Sequence, residues 1–318
     1  AGTGSAKKNT LFSVPLMETE EIDGQVAGTI TGVTANTISN SNAGWTAGAL
    51  SQPATPFLIQ ITSGEAEGRL FLISSSANTG GAIAGTANTG TTVTVSSIDT
   101  TQVNLTTLGI VSGTDTYKIF ACDTLSSFFG TPATSNVQGG TTPATADTIV
   151  AFNNGAGSTY FYSTTSNKWV RAALGNPDSS NVPVLPYFGI QYGRLANTAL
   201  SFVVTGAVPT VERQMAVKNA GTTFVSQFWP TDTTLGTSGL STVVTSGATV
   251  SSADTVVLFA NGAATTYFFN GTNWKRVALG TPNADTTPLL IGTAIQVIRK
   301  GVTPGYTTLV QDLPYNLN

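Results

Sequence analysis

In a chain without histidine, acid–base and nucleophilic chemistry falls to the carboxylates, the hydroxyls and one cysteine. Losing imidazole removes Ser-His-Asp and Cys-His catalysis and most zinc sites together. Cys122 is the only cysteine, so iron–sulfur and cysteine-rich metal sites are excluded. Its run, Tyr117-Lys118-Ile119-Phe120-Ala121-Cys122, makes it a small buried hydrophobe. Paired carboxylates are the arrangement a glycosidase would need. Glu18, Glu20, Glu21 and Asp23 form one acidic run, which reads as a solvated turn or edge strand. Glu65 and Glu67 form the other pair, in the turn of a hairpin. Asp147 and Asp254 recur in equivalent surroundings, and no D-x-D-x-D-G calcium loop accompanies them. They are expected to anchor turns by accepting backbone N–H groups. Phosphate loops and dinucleotide fingerprints are missing. The expectation is no enzyme: no catalytic residue, no metal site and no cofactor.

Aromatic side chains offer a different chemistry, stacking on sugars. Trp45, Trp229, Tyr160, Tyr162 and Tyr267 would do this if they faced solvent. The repeated Tyr positions are better explained as core, and Trp229, which lies outside the repeat, is the expected exposed contact for a cell-surface glycan.

The elements that must carry these residues are strands. Short β-branched or aromatic runs alternate with clusters of Gly, Asn, Ser and Asp, and no long 3.6-residue periodicity occurs. Phe57-Leu58-Ile59-Gln60-Ile61 and Arg69-Leu70-Phe71-Leu72-Ile73 read as a hairpin turning through Ser63 to Gly68. The strongest signal is an internal repeat. One copy runs from Asp147-Thr148-Ile149-Val150-Ala151-Phe152 through Thr159-Tyr160-Phe161-Tyr162 and Lys168-Trp169-Val170-Arg171 to Ala173-Leu174-Gly175, Pro177 and Pro183. The second runs from Asp254-Thr255-Val256-Val257-Leu258-Phe259 through Thr266-Tyr267-Phe268-Phe269 and Trp274-Lys275-Arg276 to Ala278-Leu279-Gly280, Pro282 and Pro288. Beyond the Trp the register holds, with Ile190 matching Ile295 and Arg194 matching Arg299. Each copy predicts three antiparallel strands in meander order. Phe152, Tyr160 and Trp169, and Phe259, Tyr267 and Trp274, are the expected repeat core, and each indole N–H needs a partner.

The expected fold class is therefore all-β: tandem antiparallel β-sandwich or barrel modules, two of them an internal repeat. The expected domains are an N-terminal β domain with an extended leading segment (1–125), a first repeat module (126–222) and a second (223–318).

Composition bears on partners. Of the 318 residues only 9% are charged, against roughly 25% in an ordinary soluble protein. The net charge is -3, and basic residues come together only in isolated pairs such as Lys7-Lys8, Lys275-Arg276 and Arg299-Lys300, which excludes nucleic-acid binding. No apolar run of about 18 residues exists for a membrane span. A hydroxyl-rich, weakly charged exterior lacks the self-repulsion that keeps proteins apart and packs against copies of itself at little desolvation cost. The chain begins at Ala1 rather than Met, as a mature secreted chain does.

Ile61-Thr62-Ser63-Gly64 with Glu67-Gly68-Arg69, together with the Asp…Phe…Tyr…Trp modules, resembles an uncharacterised family of secreted β-rich proteins of Verrucomicrobia- and Planctomycetes-type bacteria. The resemblance implies an exported protein and supplies no catalytic residues. The expectation is a secreted homopolymer, an extracellular filament or surface layer, whose subunits join by β-strand addition through Leu11, Phe12, Val14 and Leu16. The alternative is a monomeric adhesin or carbohydrate-binding surface protein.

Overall fold

Turn chemistry and strand alternation produce the hairpin read above. Phe57–Ile61 pairs antiparallel with Leu70–Ile73, and the turn between them uses Gly64 and Gly68 at φ 81° and 84°. A side chain at Gly68 would strike the carbonyl of Glu212, so close approach as well as backbone angle demands glycine there. The structure, a computed structural model, describes residues 7–17, 24–52, 54–74, 87–100, 104–153, 156–186, 188–195, 200–260, 263–278 and 280–315.

The hairpin lies at the middle of a seven-stranded antiparallel sheet. Its order is Ala27–Thr29, Thr116–Ala121, Phe57–Ile61, Leu70–Ile73, Thr92–Ser97, Thr37–Ser39, Gly32–Val33. The two outermost strands are neighbours in the chain, so the sheet curls into a half-barrel. Its concave core contains Ile30, Trp45, Ile59, Phe71, Tyr117 and Ile119. Successive side chains of a strand face opposite ways, and here both faces are buried. Leu58, Leu70, Leu72 and Phe120 belong to a second core with Met215, Val217, Val225, Val256 and Trp274. The N-terminal β domain is thus not separate in packing: it shares a core with the second repeat.

The repeats form two five-stranded sheets of the same strand order. The first runs Lys8–Phe12, Ile190–Arg194, Thr148–Asn153, Ala156–Ser163, Lys168–Arg171, and the second runs Ala220–Ser226, Ala294–Lys300, Thr255–Ala260, Ala263–Phe269, Trp274–Arg276. The registers match as well. Tyr160 lies opposite Arg171 as Tyr267 lies opposite Arg276, and Ile190 opposite Ala151 as Ile295 opposite Leu258. Phe12 pairs with Ile190 as Val225 pairs with Ile295. Thr10-Leu11-Phe12-Ser13 is therefore the counterpart of Thr223-Phe224-Val225-Ser226.

That equivalence changes two expectations. The first sheet draws its fifth strand from outside 126–222, so the half-barrel is an insertion between that strand and the rest of its sheet. The second sheet's fifth strand straddles the boundary placed at 222/223. Leu11 and Phe12 are also not a free donor strand, because their backbone pairs with Gln191 and Ile190 of the same chain. Val14 is buried in the core around Trp169, and Leu16 is half-buried.

The sheets meet back to back. Phe152 of the first stacks on Phe224 of the second, with ring centroids 3.9 Å apart and planes at 21°. Strand Lys8–Phe12 packs on Thr255–Ala260, and Ala220–Ser226 packs on Thr148–Asn153. Exchanging the two repeats exchanges these contacts, so the pairing has the logic of a twofold axis. Ser13 and Ser226, which are equivalent, both reach across: their hydroxyls donate to the carbonyls of Thr293 at 3.3 Å and Pro186 at 3.4 Å. A two-stranded ribbon, Arg213–Lys218 with Tyr306–Gln311, completes the second half.

Candidate interaction surface

The two aspartates that recur in the repeats are consumed by the fold. Asp147 is fully buried and accepts from the Tyr192 hydroxyl at 2.8 Å, from Gln138 N at 2.9 Å, from Leu195 N at 2.7 Å and from the Arg194 guanidinium. Asp254 repeats this with Thr245 N at 2.7 Å, Lys300 N at 2.7 Å and Arg299 Nε at 3.3 Å. Each carboxylate ties the loop before its sheet to the end of the fourth strand, which is the turn-anchoring role expected of it. Burial, and next the adjoining Asp147 carboxylate, push the Tyr192 phenol far above its ordinary range. Burial also lowers the Lys7 amine, against the opposing pull of Asp147, and its Nζ donates to Thr148 Oγ1 at 3.1 Å.

Glu65 and Glu67 lie in the hairpin turn as expected. Glu67 is raised from its ordinary value by burial first and by Glu212 second. The acidic run Glu18, Glu20, Glu21 and Asp23 lies outside the described residues. Among the described residues, no group of three or more Cys, Asp or Glu side chains is placed to hold a metal ion. Nor is any helix among them long and apolar enough to cross a membrane.

Of the expected repeat core, Tyr160, Trp169, Tyr267 and Trp274 are buried. Phe152 and Phe259 are half-buried, on the strand face opposite Ile149 and Val256. The indole of Trp169 donates to Gly130 O at 2.8 Å, whereas that of Trp274 has no acceptor among the described residues. The expectation for Trp229 is corrected: it is 2% exposed, with the Arg213 guanidinium 5.7 Å from its ring and Tyr315 set edge-on at 5.9 Å. Trp45, Tyr160, Tyr162 and Tyr267 are buried too, so none of the sugar-stacking candidates presents a ring face to solvent.

The outward apolar groups sit elsewhere. After its outer strand each five-stranded sheet projects a loop, Arg171-Ala172-Ala173-Leu174-Gly175-Asn176-Pro177 and Arg276-Val277-Ala278-Leu279-Gly280-Thr281-Pro282. The loops share their backbone geometry at the described positions. Gly175 and Gly280 both stand at φ 80°, followed by Asn176 at 42° and Thr281 at 40°. Asn176 N donates to Ala173 O at 2.9 Å and Thr281 N to Ala278 O at 3.0 Å, while Arg171 N and Arg276 N close the loops onto Pro177 O and Pro282 O at 3.1 Å. At the tip of the first loop Leu174 is completely exposed. Leu279 lies outside the described residues; Val277, at the start of the same loop, is exposed. Sequence reading placed both loops in the repeat but missed this exposure. The available signal was an apolar residue kept in both copies between turn formers.

A small, partly open recess lies where the segment following the first strand passes the half-barrel. Val14, Leu16, Met17, Leu58 and Pro186 line it, and Asp123 contributes a carboxylate.

No protein-family model matches the chain, and neither does any curated protein or solved structure.

Proposed function

We propose that this all-β protein is a secreted, non-catalytic structural component that assembles with copies of itself into an extracellular filament or surface layer. The observation that carries the reading is its composition, 29 charged residues in 318, with Leu174 exposed at a projecting loop tip. Such a surface offers little electrostatic penalty to close packing. The engagement of Asp147, Asp254, Arg194 and Arg299 in anchoring loops supports a scaffold over a reactive site. With Lys8–Phe12 paired at home, assembly through side-chain contacts fits better than donation of that strand. A glycan-binding role is disfavoured by the burial of Trp45, Trp229 and the repeated tyrosines.

The test is direct. The folded chain is concentrated at neutral pH and followed by light scattering and negative-stain microscopy. Ordered polymers of regular spacing are the expected outcome. A monomer that persists to millimolar concentration overturns the proposal.

A further inference from the structure

We infer that residues 201–206 are an acceptor edge for an extended peptide of another protein, one with apolar side chains at alternate positions, taken up by β-strand addition. The occupant of the equivalent edge is seen in the second repeat, where strand Arg213–Lys218 covers it.

The register that matches Ile190 to Ile295 and Arg194 to Arg299 continues without a gap, setting Thr198 against Thr303 and Pro209 against Pro314. Residues 201–206 therefore correspond to Tyr306–Gln311, with Phe202 and Val204 at the places of Thr307 and Leu309. Both segments alternate as strands do. Phe202 and Val204 are half-buried between exposed Ser201, Val203 and Thr205, as Leu309 is buried between exposed Thr308 and Val310. The Phe202 ring packs edge-on against Phe129, with centroids 5.3 Å apart. What differs is the neighbour. Tyr306–Gln311 pairs along its whole length with Arg213–Lys218, whereas residues 201–206 make no backbone hydrogen bond among the described residues. A run of unpaired N–H and C=O groups is a template for a further strand.

The second repeat also shows what such a strand must bring. Met215, opposite Leu309, and Val217, opposite Thr307, are fully buried. Gln214 N and Ala216 N point the other way, to Gly68 O and the Asp99 carboxylate. By that alternation Phe202 and Val204 turn their N–H groups to the open edge, and Val203 and Thr205 turn theirs away. Ala207 falls on the side of Val203 and Thr205, and its N–H donates to Met17 O at 2.7 Å, so the chain at Met17 lies along the opposite edge. The sequence leading into Lys8–Phe12 does not repeat the covering strand. Counting back from Phe12 and Val225 sets Gly2 and Gly4 against Met215 and Val217. Glycine brings no side chain to cover Phe202 and Val204, so the fitting occupant is a strand of another protein.

The test titrates the full chain with a labelled peptide, Arg-Gln-Met-Ala-Val-Lys, which copies Arg213–Lys218, and reads fluorescence anisotropy and amide hydrogen exchange. The peptide should bind, and the amides of Phe202 and Val204 should gain protection while those of Val203 and Thr205 do not. A peptide with Gly in place of Met and Val should bind roughly tenfold more weakly or worse, having no apolar side chain to bury. N-methylation of the Met and Val nitrogens should abolish binding, and N-methylation at Gln and Ala should leave it unchanged. No binding at millimolar peptide, or equal binding of the Gly peptide, overturns the inference. So does protection of Phe202 and Val204 in the chain without peptide: if it survives dilution the chain covers its own edge, and if dilution removes it a second copy does.

Discussion

Trp169 and Trp274 hold equivalent places in the two sheets, yet their indole N–H groups differ. Trp169 donates to Gly130 O, just past the short helix Leu125–Phe129, and Trp274 finds no acceptor among the described residues. Replacing either by Phe removes a similar apolar area. Trp169→Phe also strips the Gly130 carbonyl of its donor, whereas Trp274→Phe removes a buried donor that has no acceptor there. A buried polar group left without its partner costs about 1–3 kcal/mol. Trp169→Phe is therefore expected to be the more destabilising by about that margin, read from denaturant midpoints. Equal losses would show that the Gly130 bond contributes nothing. The burial of both rings was legible, since the two copies repeat them at matching positions. The partner was not, because Gly130 stands 39 residues away on an element the repeat does not include. Asp147 and Asp254 were legible as anchors for the opposite reason: their backbone acceptor role follows from residue type and local turn context. Trp229 was misread because nothing near it in sequence announces Arg213 above its ring or Tyr315 at its edge.

Among the elements, Lys8–Phe12 has the clearest consequence. It supplies the fifth strand of a sheet whose other four strands begin at Thr148, and Phe12 packs on Phe128 and Phe129 with ring centroids 6.4 Å away. Removing residues 1–12 would bare the Ile190–Arg194 edge and the aromatic cluster behind it. The truncated chain should melt well below the full one, and a synthetic peptide of residues 7–13 added in excess should restore the difference by filling the vacant edge. Unchanged melting of the truncated chain would mean that the strand is dispensable. The meanders themselves were readable from turn residues and alternation. This fifth strand was not, for a physical reason. Thr10-Leu11-Phe12-Ser13 and Thr223-Phe224-Val225-Ser226 share only two identities, too few to declare a repeat, and only the hydrogen-bond register with Ile190 and Ile295 shows them to be one element.

At the scale of the whole molecule, two repeats packed back to back carry a half-barrel inserted after the first strand of the first repeat. The half-barrel looks self-sufficient in sequence, with its own hairpins and turn signals, and was read as a separate domain. Alternation alone does not distinguish a strand buried on one face from one buried on both when each face is apolar, and Phe57–Ile61, Leu70–Ile73 and the last three residues of Thr116–Ala121 are buried throughout. The second face decides independence. Leu58, Leu70, Leu72 and Phe120 pack into the core shared with Met215, Val217 and Trp274, and the buried Asp99 carboxylate joins Arg69 of the half-barrel to the backbone N–H of Ala216. Stripping the partner half away would return those four side chains to water at about 1.5–3 kcal/mol each. The sum rivals the whole stability of a typical domain, about 5–15 kcal/mol. A fragment of residues 24–122 should therefore fail to unfold cooperatively and should bind hydrophobic dye or aggregate, while the full chain melts with the half-barrel and second sheet together. A soluble fragment with a sharp thermal transition would show that the concave core of Ile59, Phe71 and Ile119 suffices alone, and that the shared core holds two finished domains together without completing either.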